Sequence, residues 1–229
     1  MVDFLSRYWE FIADYHVLNA FWVNITLTVA SGLLAIVLGT VAVTMRISPI
    51  ASLRLASTFY VNVFRDIPLT VVMVIMLSVV WMQLRVSFSD DMNRDFYILA
   101  VIGLGLYHSS FIAEALRSGI NTVPVGQAEA ARGIGLTFLQ STRIVILPQA
   151  FRGAVAPIGN TIIALIKNTT VASVTGVANE TSGVMGAAIE FGPQFIMAIF
   201  LTFALGYVVI VIPVGVLTTT LSRRLAVKR

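Results

Sequence analysis

The chain has 229 residues, of which 58% are hydrophobic and only 11% charged, and its mean hydropathy is +0.91. Soluble domains carry about 25% charged residues, so this chain cannot cover a water-facing surface and takes lipid as its main solvent. There is room for about five helices of roughly 20 apolar residues each and for no soluble domain beside them. Cysteine is absent, which excludes disulfides, cysteine nucleophiles and thiolate metal sites. The formal charge of +4 fits the basic cytoplasmic rim of a membrane protein better than a nucleic-acid surface. His16 and His108 are the chain's two histidines, too few for a histidine metal site.

Residues 1–19 contain Asp3, Glu10 and Asp14 and no small-residue cleavage site, so they read as an extracellular or interfacial segment rather than a signal peptide. The membrane domain is expected over residues 20–222. Its first span is the apolar run 20–45, long enough to cross a bilayer at about 1.5 Å per residue. Arg46, Pro49 and Arg54 follow. The second span is expected from near Ser57 to Leu84, with Arg65 and Asp66 at its entrance. A charged loop with Arg85, Asp90, Asp91, Arg94 and Asp95 leads to the third span, residues 96–115, with Glu114 near its end.

Residues 118–152 are too charged for lipid and too long for a turn. They predict a structured loop with a short helix. The fourth span begins near Gly153 and meets Lys167 after 14 uncharged residues. The Gly-, Ser- and Thr-rich stretch 168–190 is ambiguous and allows a broken or re-entrant helix, a form tolerated where it lines a cavity. The fifth span lies in the uncharged run 191–222, and residues 223–229 form a basic tail with Arg223, Arg224, Lys228 and Arg229. With the N-terminus outside, the inside loops and tail hold Arg46, Arg54, Arg65, Arg117, Arg132, Arg143, Arg152 and the basic tail, while most acids fall outside. That bias obeys the positive-inside rule and places loop 118–152 in the cytoplasm.

The loop reads Gly126-Gln127-Ala128-Glu129-Ala130-Ala131-Arg132-Gly133-Ile134-Gly135-Leu136, and Ile146-Leu147-Pro148 follows. Pro124 suits a first helical turn, Glu129 and the alanines favour helix, and Gly133 or Gly135 can end it in a left-handed conformation. A helix resting on the membrane surface would show Trp, Phe or Leu against a basic face. Ala128, Ala130 and Ala131 lack that bulk, so the chemistry favours a face on which another protein's backbone comes close.

Glu129-Ala130-Ala131, Gly135 and Val145-Ile146-Leu147-Pro148 resemble the EAA loop of permease subunits in ATP-binding-cassette (ABC) importers, with Val145 in place of the usual Ile. Phe64-Arg65-Asp66-Ile67-Pro68-Leu69 resembles the Phe-Arg-Gly-Thr-Pro-Leu element of polar amino acid permeases, with Asp66 and Ile67 departing from it. Ala113-Glu114-Ala115-Leu116-Arg117-Ser118-Gly119-Ile120 resembles their third-helix exit, and Leu165-Ile166-Lys167-Asn168-Thr169-Thr170 their fourth-helix element. Ser118-Gly119-Ile120-Asn121-Thr122-Val123 and Arg224-Leu225-Ala226-Val227-Lys228 resemble the glutamate-uptake permeases of actinobacteria.

The resemblance implies an all-α integral membrane fold of five transmembrane helices, the type I importer permease, in the bacterial plasma membrane. It implies that Gln127, Ala128, Glu129, Ala130, Ala131, Arg132, Gly133, Gly135 and Leu136 form a coupling helix seated on an ATPase. It also implies the partners: a second homologous permease, two ATP-binding subunits and an extracellular substrate-binding lipoprotein. ATP and Mg would be bound by the ATPase, with no cofactor in this chain. Independently, the chain has no Gly-x-x-x-x-Gly-Lys-[Ser/Thr] phosphate loop. The implied function is ATP-driven import of a polar amino acid, L-glutamate in particular. An ion-coupled secondary transporter is the alternative, but that class usually shows a longer chain or internal repeats. A membrane enzyme would need motifs such as H-E-x-x-H or Gly-x-Ser-x-Gly, and neither occurs.

Polar groups inside a span are the candidates for the substrate path, since a charge at the bilayer centre costs roughly 2.5–3.5 kcal/mol. Lys167, followed by Asn168, Thr169 and Thr170, could receive a carboxylate or could hold the bundle together. Glu114 faces either the path or Arg117, three residues on. His108 and Ser110 lie deeper in the same span and read as pathway groups or as satisfied structural ones. Arg65 is either an ordinary rim cation or a guide for an anionic substrate. Asn160 lines the path or binds backbone freed by Pro157, while Asn24, Thr26 and Thr28 suit helix–helix contacts.

Overall fold

A computed structural model describes residues 2–225, and the side chains of residues 4–225. Ala226, Val227, Lys228 and Arg229 of the expected tail lie outside the described residues, as do the Met1 backbone and the Asp3 side chain. Every regular element among the described residues is helical: α1 Val2–Ala13, α2 Val17–Arg46, α3 Ala51–Asp66, α4 Leu69–Ile75, α5 Met92–Ile120, α6 Val125–Gly133, α7 Phe138–Ser141, α8 Leu147–Gly153, α9 Val155–Asn168, α10 Thr181–Phe191 and α11 Ile196–Leu225. Wider π-type turns occupy Met76–Gln83 and Thr142–Ile146, and 3₁₀ turns occupy Thr169–Thr175 and Pro193–Phe195.

Among the described residues, three helical stretches, Val17–Arg46, Met92–Ile120 and Pro193–Leu225, are long and apolar enough to cross a membrane, and the bent pair Ala51–Asp66 and Leu69–Gln83 makes a fourth if it is one span. The second span thus differs from the expected continuous run. Its helix starts at Ala51, ahead of Ser57, and stops at Asp66. Pro68 has no N–H and pushes the residue before it out of the helical region; Ile67 is extended, at φ −91° and ψ 145°. The expected fourth span is the 14-residue α9, which alone is too short to cross, followed by the 3₁₀ turn that ends at left-handed Gly176 (φ +92°).

The chain divides into two compact units. The first draws on the residues up to Ser31, Leu69–Leu104 and Ala164–Pro213, and the second on Gly32–Pro68, Gly105–Ile163 and the chain from Val214 on.

In the first unit, one face of α1 presents Tyr8, Phe11 and Ile12 to a core with Phe21, Ala188, Phe195, Ile199 and Phe203. Phe4, Tyr8 and Phe11 all place their rings 5.2–5.7 Å from that of Phe195. Tyr8 donates to the Ala198 carbonyl at 3.1 Å and bonds Thr202. Buried Asp95 pins the loop ahead of α5 by accepting from the Trp81 indole and the Phe88 amide, both at 2.7 Å.

A buried polar chain runs through the same unit. Asn24 donates to the Ile166 carbonyl (3.2 Å) and to Tyr207 (2.9 Å); Tyr207 bonds Thr181; Thr181 donates to Glu180 at 3.1 Å. Thr169 donates to the same Ile166 carbonyl at 2.9 Å. Glu180 also accepts the Gly183 amide at 2.7 Å, capping α10. It lies between elements, outside the long spans. Burial pushes its carboxyl up from 4.5 to about 6, against the Ser182 and Gly183 amides and the Thr181 hydroxyl, which pull it down.

The second unit packs Ala35, Ala42, Val43, Val61, Ile112, Ala113, Leu116 and Ala154. Small residues let helix backbones approach without a hydrophobic drive between them. Gly119 is the clearest case, because a Cβ there would meet the Ala150 carbonyl oxygen. Tyr60 ties α3 to α5, donating to the Leu106 carbonyl at 3.0 Å and bonding Ser109 at 2.6 Å.

Three stability tests rest on these features. Gly119→Ala forces a side-chain atom into a backbone carbonyl and should cost about 1–3 kcal/mol, lowering the detergent melting temperature. A Cβ at Gly126 has nothing within 4 Å, and Gly126→Ala should be neutral or stabilise by up to about 1 kcal/mol. Between pH 4.5 and about 6 the folded chain holds on Glu180 a proton that the unfolded chain has released. That contribution to stability is full below 4.5 and is lost as pH rises through about 6. Glu180→Gln should remove this part of the melting-temperature slope; identical slopes in the two proteins would show that Glu180 does not titrate there.

Candidate functional site

The alanine-rich loop folds within the second unit. Pro124 is the residue just before α6, at φ −57° and ψ 130°, and its carbonyl accepts the Gln127 amide at 3.0 Å. The helix runs through Gly133 and ends when Gly135 turns left-handed at φ +89°. This is the conformation that glycine adopts without steric cost. The Gly135 amide then reaches the Arg132 carbonyl and the Leu136 amide the Ala131 carbonyl, at 3.0 and 3.1 Å. Thr137 and Gln140 form a reciprocal capping box that starts α7. Pro148, at the start of α8, has no N–H to give, and the turn ahead of it is of the wider π type.

Only one side of α6 is used internally. Ala131 is buried and Ala128 half-buried, one helical turn apart, toward α7 and the π-type turn Thr142–Ile146. Gln149 donates to the Gln127 side chain, and to the Val145 carbonyl at 2.8 Å, tying α6 to α8. Gln127, Glu129, Ala130, Arg132, Gly133 and Gly135 are exposed, and Leu136 is half-buried. Sequence reasoning stressed the small residues and missed the apolar ones beside them: Val125 is 71% exposed, Ile134 79% and Leu139 64%. The available signal was three branched apolar side chains in a polar loop. A small-residue helix flanked by exposed apolar groups can seat another protein closely.

Among the pathway candidates, the second unit holds Arg65, His108, Ser110, Glu114 and Asn160. Glu114 is drawn into an ion cluster. Arg46 bonds one carboxylate oxygen, with Arg65 3.6 Å from the same atom, and Arg117 bonds the other at 2.9 Å. Three guanidiniums thus share one carboxylate. Arg65 makes the longest of these contacts: its side chain is 43% exposed and its guanidinium lies 6.0 Å from the Phe111 ring centroid. His108 is buried against Tyr107, ring centroids 5.2 Å apart. Ser110 is buried and donates to its own helix at the Tyr107 carbonyl, 2.7 Å away. Asn160 is exposed, and Thr161 beside it donates to the Pro157 carbonyl at 3.0 Å.

The first unit holds the other four candidates, at the end of α9. Thr169 is buried and committed to Ile166 and Asn24. Thr170 donates to the Lys167 carbonyl at 2.8 Å, and Asn168 is half-buried. Lys167 is exposed, and among the described residues no carboxylate lies within ion-pair distance of it. Asn24 and Tyr207, which bond Thr169 at this break, were not legible as its partners because they come from remote parts of the chain. No group of three or more metal-ligating side chains occurs among the described residues.

Comparison with known proteins adds a family and a fold. The family model of the binding-protein-dependent transport system inner membrane component matches residues 33–227. The glutamate transport system permease protein GluC of Corynebacterium glutamicum is 46% identical over 217 residues, covering 93% of this chain and 95% of that protein. The glutamate/aspartate import permease protein GltK of Escherichia coli is 30% identical, covering 92% and 94%. The crystal structure of an amino acid ABC transporter with histidines superposes with a TM-score of 0.76 at 24% identity, over 96% of both chains. An inward-facing structure of the MetNI methionine ABC transporter gives 0.72 at 22% identity, over 92% of this chain and 96% of that one. This all-helical chain therefore belongs to the binding-protein-dependent transport system inner membrane components, the membrane-embedded permeases of ABC importers.

Proposed function

We propose that this chain carries L-glutamate inward across the bacterial plasma membrane, driven by ATP hydrolysis in partner subunits. The observation that carries the reading is α6: an exposed alanine-rich helix, flanked by Val125 and Ile134, in a loop the positive-inside rule places in the cytoplasm. The relative that is 46% identical and named a glutamate permease supports the substrate. In this reading the N-terminus lies outside and the C-terminus inside. Residues 1–19 form the outer interfacial segment, residues 20–222 the permease domain with five spans, and residues 223–229 the inner tail.

Residues 127–136 sit on the ATPase. A second homologous permease, two ATP-binding subunits holding ATP and Mg, and an extracellular substrate-binding lipoprotein complete the transporter. Nucleotide binding in the ATPases displaces the coupling helices and switches access from outside to inside. Lys167 supplies the charge for a substrate carboxylate at the α9 break, with Asn168 and Thr170 beside it. Asn160 lines the path, and Arg65 with the Glu114 cluster provides a cationic region toward the inner side. His108, Ser110 and Thr169 act from behind, fixing the helices that carry those groups.

The test is uptake by the assembled transporter in proteoliposomes. Radiolabelled glutamate should accumulate only with ATP, and unlabelled glutamate should compete better than aspartate, glutamine or arginine. Accumulation driven by an ion gradient without ATP would sink the reading in favour of a secondary transporter. Glu129→Lys places a cation on the exposed face of α6 and should reduce uptake by roughly tenfold, as expected for about 1.4 kcal/mol of lost docking. The chain should still insert, and unchanged uptake would remove α6 from the coupling contact. Lys167→Ala should lower glutamate uptake at limiting substrate about ten- to a hundredfold, the worth of a charge-assisted hydrogen bond. An unchanged rate would take Lys167 off the path.

A further inference from the structure

The second unit contains a groove of about 430 Å³ that the transport reading does not use. Its walls come from Ile36 of α2, from Phe151, Ile158 and Ile162 along α8 and α9, and from Leu217 and Leu221 of α11. Gly159 and Thr218 also line it, so close that a Cβ on the glycine would collide with the threonine side chain, so α9 and α11 meet there. Leu217 is 59% exposed and Leu221 40%, so the groove opens outward. A zwitterionic amino acid finds almost nothing polar in it.

Among the described residues, one charged side chain lines the groove. Arg152 is exposed and, among the described residues, has no carboxylate within ion-pair distance. No acidic residue among the described ones lines the groove. Leu225, also in its lining, belongs to the last turn of α11, which carries Arg223 and Arg224. An apolar slot with a cationic rim is complementary to one class of membrane molecule, an anionic phospholipid with its acyl chain in the slot and its phosphate at the rim. Basic pockets between membrane helices on the cytoplasmic side bind such headgroups. An acyl chain gains little by leaving other acyl chains, because lipid tails are as apolar as leucine. Selectivity therefore comes from the headgroup, where Arg152 can form two charge-assisted hydrogen bonds to phosphate.

We propose that this groove is a binding site for one anionic phospholipid, whose acyl chain lies along Ile158, Ile162 and Leu217 and whose phosphate is held by Arg152. The site rests on membrane insertion alone and not on which amino acid is carried. It is tested on the complete transporter in nanodiscs of phosphatidylcholine with a minor fraction of phosphatidylglycerol, by native mass spectrometry of the retained lipid. The wild type should retain phosphatidylglycerol far above its share of the bilayer, and excess inorganic phosphate should not displace it. Arg152→Gln should reduce that retention about fivefold, the effect of one arginine at an anionic surface. Leu217→Trp fills the slot with Arg152 in place and should also empty the site. Arg94→Gln, outside the groove, should change nothing.

No enrichment in the wild type would overturn the proposal, and so would equal losses in the Arg94 and Arg152 variants. A crosslink from Leu217→Cys to the sister permease would overturn it as well, since a protein would then cover the groove. Because lipid retention is read without transport, failure here leaves the glutamate reading untouched, and failed glutamate uptake leaves this site standing.

Discussion

A backbone carbonyl released from its helix inside a membrane has no water to bond, and leaving it bare costs several kcal/mol. That constraint governs the first unit. α9 stops at Asn168 and continues as a 3₁₀ turn, and the break needs side chains to bond the backbone around it. Asn24 and Thr169 both donate to the Ile166 carbonyl. The chain then passes from Asn24 to Tyr207, from Tyr207 to Thr181 and from Thr181 to Glu180. Each hydroxyl can accept from one neighbour and donate to the next, so the series ends on a carboxylate that can only accept when ionised. The same carboxylate caps α10 through Gly183. One buried network thus supports both the broken helix and the start of the next.

A different economy of charge holds the second unit. Glu114 is the one carboxylate there with ion pairs among the described residues, and three arginines turn toward it from α2, α3 and α5. A paired and hydrogen-bonded charge is tolerable in a low dielectric where a lone one is not. The cluster therefore fixes three helix ends while leaving a net positive field. By contrast α6 is held lightly, through Ala131, half of Ala128 and the Gln127–Gln149 hydrogen bond. A helix that buries so little of itself can take its position from whatever it docks against.

These differences explain what could be read from the sequence. The alanine helix was legible because its signals are local: Pro124, the alanines and Gly135 lie within a dozen residues and each has its own backbone meaning. The long spans at Val17–Arg46, Met92–Ile120 and Pro193–Leu225 were legible for the same reason, from uninterrupted apolar length. The second span was misjudged at Ser57 because Arg54 suggested a loop, whereas α3 runs through it as an amphipathic helix from Ala51. Pro68 signalled a break, and the apolar run after it hid it. Thr169 looked like a substrate ligand beside Lys167, but its hydroxyl is engaged by Asn24, some 145 positions away in the chain. No local pattern carries that pairing.

The cations of this chain sort by whether the fold itself answers them. Arg46 and Arg117 are answered by Glu114 at close range, and their role is structural. Lys167 and Arg152 are not answered by any carboxylate within ion-pair distance among the described residues, and Arg152 lines an apolar groove. A cation that its own fold leaves without a carboxylate can be answered by an anion arriving from outside the chain. The two differ in their neighbours. Lys167 has Asn168 and Thr170 beside it, polar groups suited to a small hydrophilic anion that must come and go. Arg152 stands at the mouth of a slot of Ile, Leu and Val, suited to an anion with a hydrocarbon tail. The two proposals rest on this difference: Lys167 for passing cargo and Arg152 for a resident lipid, with the surrounding side chains separating them.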